Sequence, residues 1–385
     1  MISKLKSHYF FSQPHQPFFI LAFINAILSM ALFGLFFEGT ITPTIPAKLY
    51  HAYSIIYLLF TPAFLAFLFT TFPRFSATEP IEKKAYMRIF LFFALGSLFV
   101  YLGIFLSIPL INTGILLLFI GHAIAGNMLL AIYKKSKVTD KYDQFWILVA
   151  TAIGVFAHFL FLTILWLPSL YTFAIQLAIY LYLFLIFFTV AQRMVPFFSH
   201  SPIEKHTERF KVIVGLLALH IILELIDTHS SFLADFMLAY LLGKEILRWR
   251  LPFPNPNPLV WVLHIALFWI PVAFLISSIS SLISLINGSS FLYLAIHTLA
   301  LGFFLTMLIG FGTRVTIGHS GNQMRADKYT TTLFYITQVV VVMRLITSLN
   351  DNFLIFFELS IFIWLLLFIS WGIRFFRVLI FGDKL

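Results

Sequence analysis

The sequence predicts an all-α polytopic membrane protein, a bundle of twelve transmembrane helices, and three observations carry that prediction. Apolar residues make up 61% of the 385-residue chain and charged residues 10%, far from the roughly half apolar and quarter charged composition of a soluble domain. Twelve apolar runs reach the length of about 20 residues that crosses a hydrocarbon core as a helix. If each run crosses, all Lys and Arg except Lys48 and Arg344 fall on one side, and the positive-inside rule makes that side, with both termini, cytoplasmic.

The first run, 17–38, follows Lys4 and Lys6 but has no small-x-small cleavage site, so it reads as a span and not as a signal peptide. The second, 47–71, starts beside Lys48 and ends at Arg74 in F-P-R-F. Runs 86–108 and 111–133 are joined by a short apolar turn, and the basic stretch Lys134–Lys141 separates the latter from 144–166. Run 170–192 ends at Arg193, 211–227 begins at Lys211, and 231–247 ends in the basic stretch Lys244–Arg250. Runs 258–282 and 289–312 follow, the latter closing on Arg314, and then 328–349 and 352–380 complete the chain. With no connection longer than about twenty residues, the whole of 1–385 reads as one membrane domain.

The net charge of +10 is a topology signal and does not indicate nucleic acid, because the basic residues cluster at the cytoplasmic ends of the runs. The chain has no cysteine, which excludes disulfides, thiolate metal sites and covalently attached haem. A metal or haem would have to be held by His, Met, Tyr or carboxylate side chains.

Histidine is the scarce chemical resource. The topology puts His51 (second run), His297 (tenth), His220 (seventh) and His158 (fifth) in the outer half of the bundle, with His122 (fourth) nearer the midplane; His264 (ninth) falls in the inner half. Such a one-sided group suits a cofactor near the outer face, since neutral imidazole ligates haem iron and copper. Each histidine taken singly also reads as an interhelical hydrogen bond. His220, Glu224 and Asp227 at i, i+4 and i+7 share a helix face and form a candidate metal group; the alternative leaves Asp227 in the loop and Glu224 hydrogen-bonded.

Arginines recur at the inner ends of the second, sixth and tenth runs: Arg74, Arg193 and Arg314. A spacing of four helices suggests three four-helix units about a pseudo-three-fold axis, similar to the main subunit of haem-copper oxidases, although the positive-inside bias alone also puts arginines there. That resemblance implies a low-spin haem between His51 and His297. The oxidase pattern is incomplete, because the tenth run has no His-x-His, the seventh a single His and the sixth none.

The segment from His297 to Gly321 joins His297, Gly302, Thr306 and Met307 to T-R-V-T-I-G-H-S-G, with Arg314, Gly318, His319 and Gly321. With Q-P-F-F at Gln16–Phe19, R-M-V-P-F-F-S at Arg193–Ser199 and L-H-I-A-L-F-W-I-P around His264, it resembles the NnrS family over most of the chain. The second run reads Y-H-A-Y-S where that family shows W-H-A-H-E, so His51 matches while Tyr53 and Ser54 replace the second His and the Glu.

The resemblance implies a bacterial inner-membrane protein of nitric-oxide metabolism and nitrosative stress, containing haem b and copper, in contact with the lipid bilayer, nitric oxide and an unidentified electron donor. His319 and Arg314 lie roughly 25 Å or more along the helix from His297, so they are expected to order the cytoplasmic loop or bind an anion and not to ligate an outer-half haem. A secondary transporter and a haem- or copper-delivery protein are the alternative readings, and whether the chain is an enzyme stays open.

Overall fold

The computed structural model describes residues 9–201, 203–350 and 352–385, and all regular secondary structure among them is helical. Twelve helices follow in order: α1 His15–Phe37, α2 Ala47–Phe75, α3 Lys83–Leu106, α4 Ile108–Lys135, α5 Tyr142–Thr163, α6 Pro168–Phe198, α7 Thr207–Ile226, α8 Phe232–Arg248, α9 Pro258–Asn287, α10 Leu294–His319, α11 Lys328–Leu349 and α12 Phe353–Phe381. Ten are long and apolar enough to cross a membrane. The exceptions are α7, which carries Glu208, Arg209, Lys211 and Glu224, and α8, which has 17 residues. The chain is therefore a multi-pass helical membrane protein.

Burial singles out three helices. In α2, 94% of the most apolar stretch is buried, in α10 78% and in α6 72%, whereas no other span exceeds 56%. The same three are interrupted by π-helical segments, at Ser54–Phe60, Leu177–Leu183 and Thr298–Leu305. Such segments are rare and concentrate at functional sites. In α2 and α10 a threonine closes the segment by bonding back five residues, Thr61 to the Ile56 carbonyl (2.8 Å) and Thr306 to the Leu301 carbonyl (3.1 Å). His51 and His297 each stand within a turn before their segment.

The chain divides into two compact units. The first comprises residues 1–186, 312–324 and 368–385. Its α3 and α4 pack closely because glycines face each other: a Cβ on Gly114 would lie 2.6 Å from Val100 N, and one on Gly103 2.5 Å from Ile111 N. Small residues let backbones approach where lipid gives no hydrophobic drive for helix association. Asn25 of α1 donates to the Leu58 carbonyl within the π segment of α2 (2.8 Å) and to Ser97 of α3 (3.1 Å), which satisfies polar groups that have no water to turn to.

The second unit comprises residues 187–311 and 325–367. Here Gly302 makes room for the Trp269 ring, 2.6 Å from where a Cβ would stand. Trp269 Nε1 donates to Gln338 Oε1 (2.9 Å), whose Nε2 donates to Thr306 (3.2 Å). Two of the residues that define the helix-10 motif, Gly302 and Thr306, thus act as a packing notch and a hydrogen-bond anchor among α9, α10 and α11.

Candidate functional site

In the first unit His122 of α4 and His158 of α5 meet in the interior, 1% and 0% exposed, with their Nδ1 atoms 3.4 Å apart. His158 Nε2 is 2.8 Å from the Tyr53 hydroxyl. The Tyr57 ring stacks on the His158 ring, with centroids 3.8 Å apart and 18° between planes, and Tyr182 lies beside His122. Tyr182 fits because Gly154 has no side chain, and its hydroxyl donates to Thr61 (2.9 Å). Tyr53 precedes one π segment, Tyr57 is inside it, and Tyr182 is inside another. A small, largely apolar cavity adjoins Tyr53 and is walled by Ile45, Leu49, Val100, Ile111 and Phe161.

The second unit holds a buried acid–base pair. His220 Nδ1 of α7 lies 2.6 Å from Asp235 Oδ1 of α8, with the side chains 3% and 0% exposed. Asp235 Oδ2 accepts from Ser277 of α9 (2.7 Å) and Ser231 (3.0 Å). Glu224 accepts from His229 N (3.1 Å) and lies 2.7 Å from the same Ser231 Oγ that approaches Asp235, so the one Ser231 proton is shared between the two carboxylates; Glu224 pins the α7–α8 turn, and Asp227 is exposed. Among the described residues no three His, Asp or Glu side chains are grouped as a metal cage.

The other expected residues lie in both units. His51 is half-buried in the first unit, its ring stacked on Phe33 (4.2 Å, 22°). His297, in the second, has Nδ1 3.0 Å from the Tyr293 carbonyl and 3.3 Å from Arg344, which also donates to the Leu292 carbonyl (3.1 Å). His264 is fully buried and bonds Ser199 through Nε2 (2.7 Å), joining the R-M-V-P-F-F-S and L-H-I-A-L-F-W-I-P segments. Arg74 is exposed at the end of α2, while Arg193 and Arg314 are half-buried.

The T-R-V-T-I-G-H-S-G segment organises one end of the first unit. Thr313 accepts from Trp371 of α12 (3.0 Å), and the His319 ring lies against that of His15 (4.9 Å). The Ser320 and Gly321 carbonyls receive Lys384 (3.2 and 2.8 Å). Gly318 abuts the Met324 side chain, and Gly321 takes a left-handed φ of +67° that favours glycine.

The sequence reading missed His15, Asp235, Tyr57 and Tyr182. Asp235 had a signal, a carboxylate within the apolar stretch 232–242, which by default marks a functional position in a membrane helix. The tyrosines had none, because their significance comes from the π segments that re-aim them.

The fold is that of a polytopic helical membrane protein with imidazoles, phenols, hydroxyls, amides and carboxylates buried among its helices. The chain belongs to the NnrS family: the family described as "NnrS protein" matches residues 9–381. A search of curated proteins finds no match. The family links the chain to the nitric-oxide response as a membrane protein.

Proposed function

We propose that this protein is a haem-b- and copper-containing protein of the bacterial inner membrane that handles nitric oxide under nitrosative stress. The observation that carries the reading is the His220–Asp235 pair. A carboxylate on Nδ1 holds the imidazole in the tautomer whose Nε2 is the ligating nitrogen, as in ligating histidines generally. Isolated from solvent, such a pair is costly to keep without a use. His220 is accordingly the proposed haem ligand, Asp235 its orienting partner, and Ser231 and Ser277 the groups that fix Asp235.

Haem, when bound, would supply a redox-active iron with affinity for nitric oxide. The residues of the chain supply the rest. The helices exclude water from His220, whose side chain is 3% exposed. The absence of cysteine means that the haem would be held without covalent attachment.

The test is the absorption spectrum of protein purified from haem-replete cells, followed by acid–acetone extraction. A Soret band whose pigment moves into the organic phase is expected. It should be lost or altered in His220→Ala, shifted in Asp235→Asn and unchanged in His200→Ala. His51→Ala and His297→Ala, tested separately, show whether either of those imidazoles ligates instead. Absence of a Soret band in the parent protein would sink the haem reading and leave transport or cofactor delivery.

A further inference from the structure

We propose that the junction of α2, α4 and α5 in the first unit binds one monovalent alkali cation through Ser76 Oγ, Ser136 Oγ and Gln144 Oε1. The site holds none of the residues assigned to haem or copper, and the inference stands apart from that reading.

Ser76 is the C-cap of α2 and Ser136 that of α4. Lys137 N donates to the Ser76 carbonyl (3.3 Å), which ties the two caps together, and Gln144 Nε2 in the first turn of α5 donates to the Phe75 carbonyl (2.7 Å). The last contact also fixes the amide: with Nε2 on a carbonyl, Oε1 is left as an acceptor. Ser76, Ser136 and Gln144 are 0%, 8% and 0% exposed, and among the described residues Ser76 Oγ, Ser136 Oγ and Gln144 Oε1 have no hydrogen-bond partner. Buried polar atoms are paired in the great majority of cases, so three orphaned oxygens at one junction point to a guest that they hold in common.

The electrostatics of the junction select a cation. Two helices end there, and the carbonyl end of a helix carries partial negative charge; such ends and neutral carbonyl oxygens coordinate sodium in membrane transporters. The N-terminus of α5, the positive end at the junction, carries the fully buried Asp143 in its first turn. Arg74, Lys134, Lys135 and Lys137 are exposed, so solvent screens their charges. The three orphaned oxygens belong to hydroxyl and amide groups without formal charge and so suit a monovalent ion, whereas calcium sites enlist carboxylates.

The experiment uses the full-length protein in detergent, exchanged into choline chloride and titrated with sodium or potassium chloride at constant ionic strength. Thermal unfolding is recorded at each step, and binding of radiolabelled sodium or rubidium is measured in the same buffer. The expected result is one ion bound per chain and a rise in the unfolding midpoint of about 2–4 °C at about ten times the dissociation constant. Ser76→Ala/Ser136→Ala removes two of the oxygens but breaks no hydrogen bond of the described residues, so the double variant should unfold as the parent does in choline and lose the alkali response. Ser136→Ala alone should weaken binding about 10–100-fold, the worth of a neutral partner to a charged group.

Equal midpoints in choline, sodium and potassium, with no labelled ion bound, would mean ordered water only at the junction and overturn the proposal. An alkali response that a folded double variant keeps at parent affinity would place the ion elsewhere and overturn it as well. Parent affinity in Ser136→Ala does the same, so the single variant decides if the double variant does not fold. Neither readout requires a Soret band, so the cation site and the haem reading stand or fall separately.

Discussion

His220 Nδ1 and Asp235 Oδ1 are 2.6 Å apart, and the turn between their helices is what brings them together. Glu224 receives His229 N and Ser231 Oγ, and Ser230 Oγ bonds the Leu223 carbonyl (2.8 Å). Thus Glu224, which the spacing in α7 pairs with His220, instead binds the turn that delivers a different carboxylate. Removing one member of a buried pair costs about 3–5 kcal/mol, because its partner stays buried and uncompensated. Asp235→Ala is expected to fall in that range in detergent unfolding experiments. The His220→Ala/Asp235→Ala double variant should cost less than the sum of the singles, and strict additivity would show that the contact does not couple them.

Gly302→Ala should destabilise by about 1–3 kcal/mol, since its methyl would be driven into the Trp269 ring. Gly215→Ala on α7 meets nothing within 4 Å and should be neutral or stabilise by up to about 1 kcal/mol through helix propensity. The order of the two midpoints in thermal unfolding is the check, and the reverse order would contradict the α9–α10 contact.

Thr61→Val and Thr306→Val each remove the hydroxyl that closes a π segment and receives a neighbouring donor, Tyr182 in one case and Gln338 in the other. Each should cost about 1–3 kcal/mol, the usual penalty for a buried polar group left without its partner. Thr332→Val on the exposed face of α11 should stay within about 0.5 kcal/mol. Equal effects at all three positions would remove the case for a special role.

Glu245 of α8 binds Arg209 (2.5 Å) and Arg248, and accepts from Trp249 Nε1 (3.0 Å). Glu245→Gln is expected to lower stability by about 1–3 kcal/mol, as for hydrogen bonds to charged groups, and to loosen the ends of α7 and α8 together. Hydrogen exchange measured in both helices would show this, and loosening confined to α8 would argue against it.

His319→Ala and Arg314→Ala should reduce folded yield while leaving the ratio of Soret to protein absorbance close to the parent value. The His319 ring packs on His15, and the following turn holds Lys384, so the damage is to an end of the first unit. Selective loss of haem at normal yield from either variant would place a cofactor at that end.

The order and approximate limits of the twelve helices were legible in the sequence, because hydrocarbon thickness sets the length of an apolar run that can span, although ten of the twelve are long and apolar enough to cross a membrane. Runs such as 47–71 and 328–349 reappear as α2 and α11 with ends displaced by at most a few residues. The motif around His297 was legible too, although its working parts are divided. Gly302 and Thr306 pack α10 against its neighbours, and His319 and Gly321 order the turn beyond it.

The residues that make contact were not legible. His122 and His158 are separated by 36 positions and His220 and Asp235 by 15, and twelve helices offer many faces on which such groups could meet. Apolar length is a local property of the chain and determined by itself that this is a polytopic helical membrane protein. Which imidazole meets which partner was decided only by the tertiary structure, through glycine notches, π segments and turn hydrogen bonds. In a bilayer those features select neighbours by close packing and by satisfying every polar group, and the hydrophobic effect does not distinguish one helix from another.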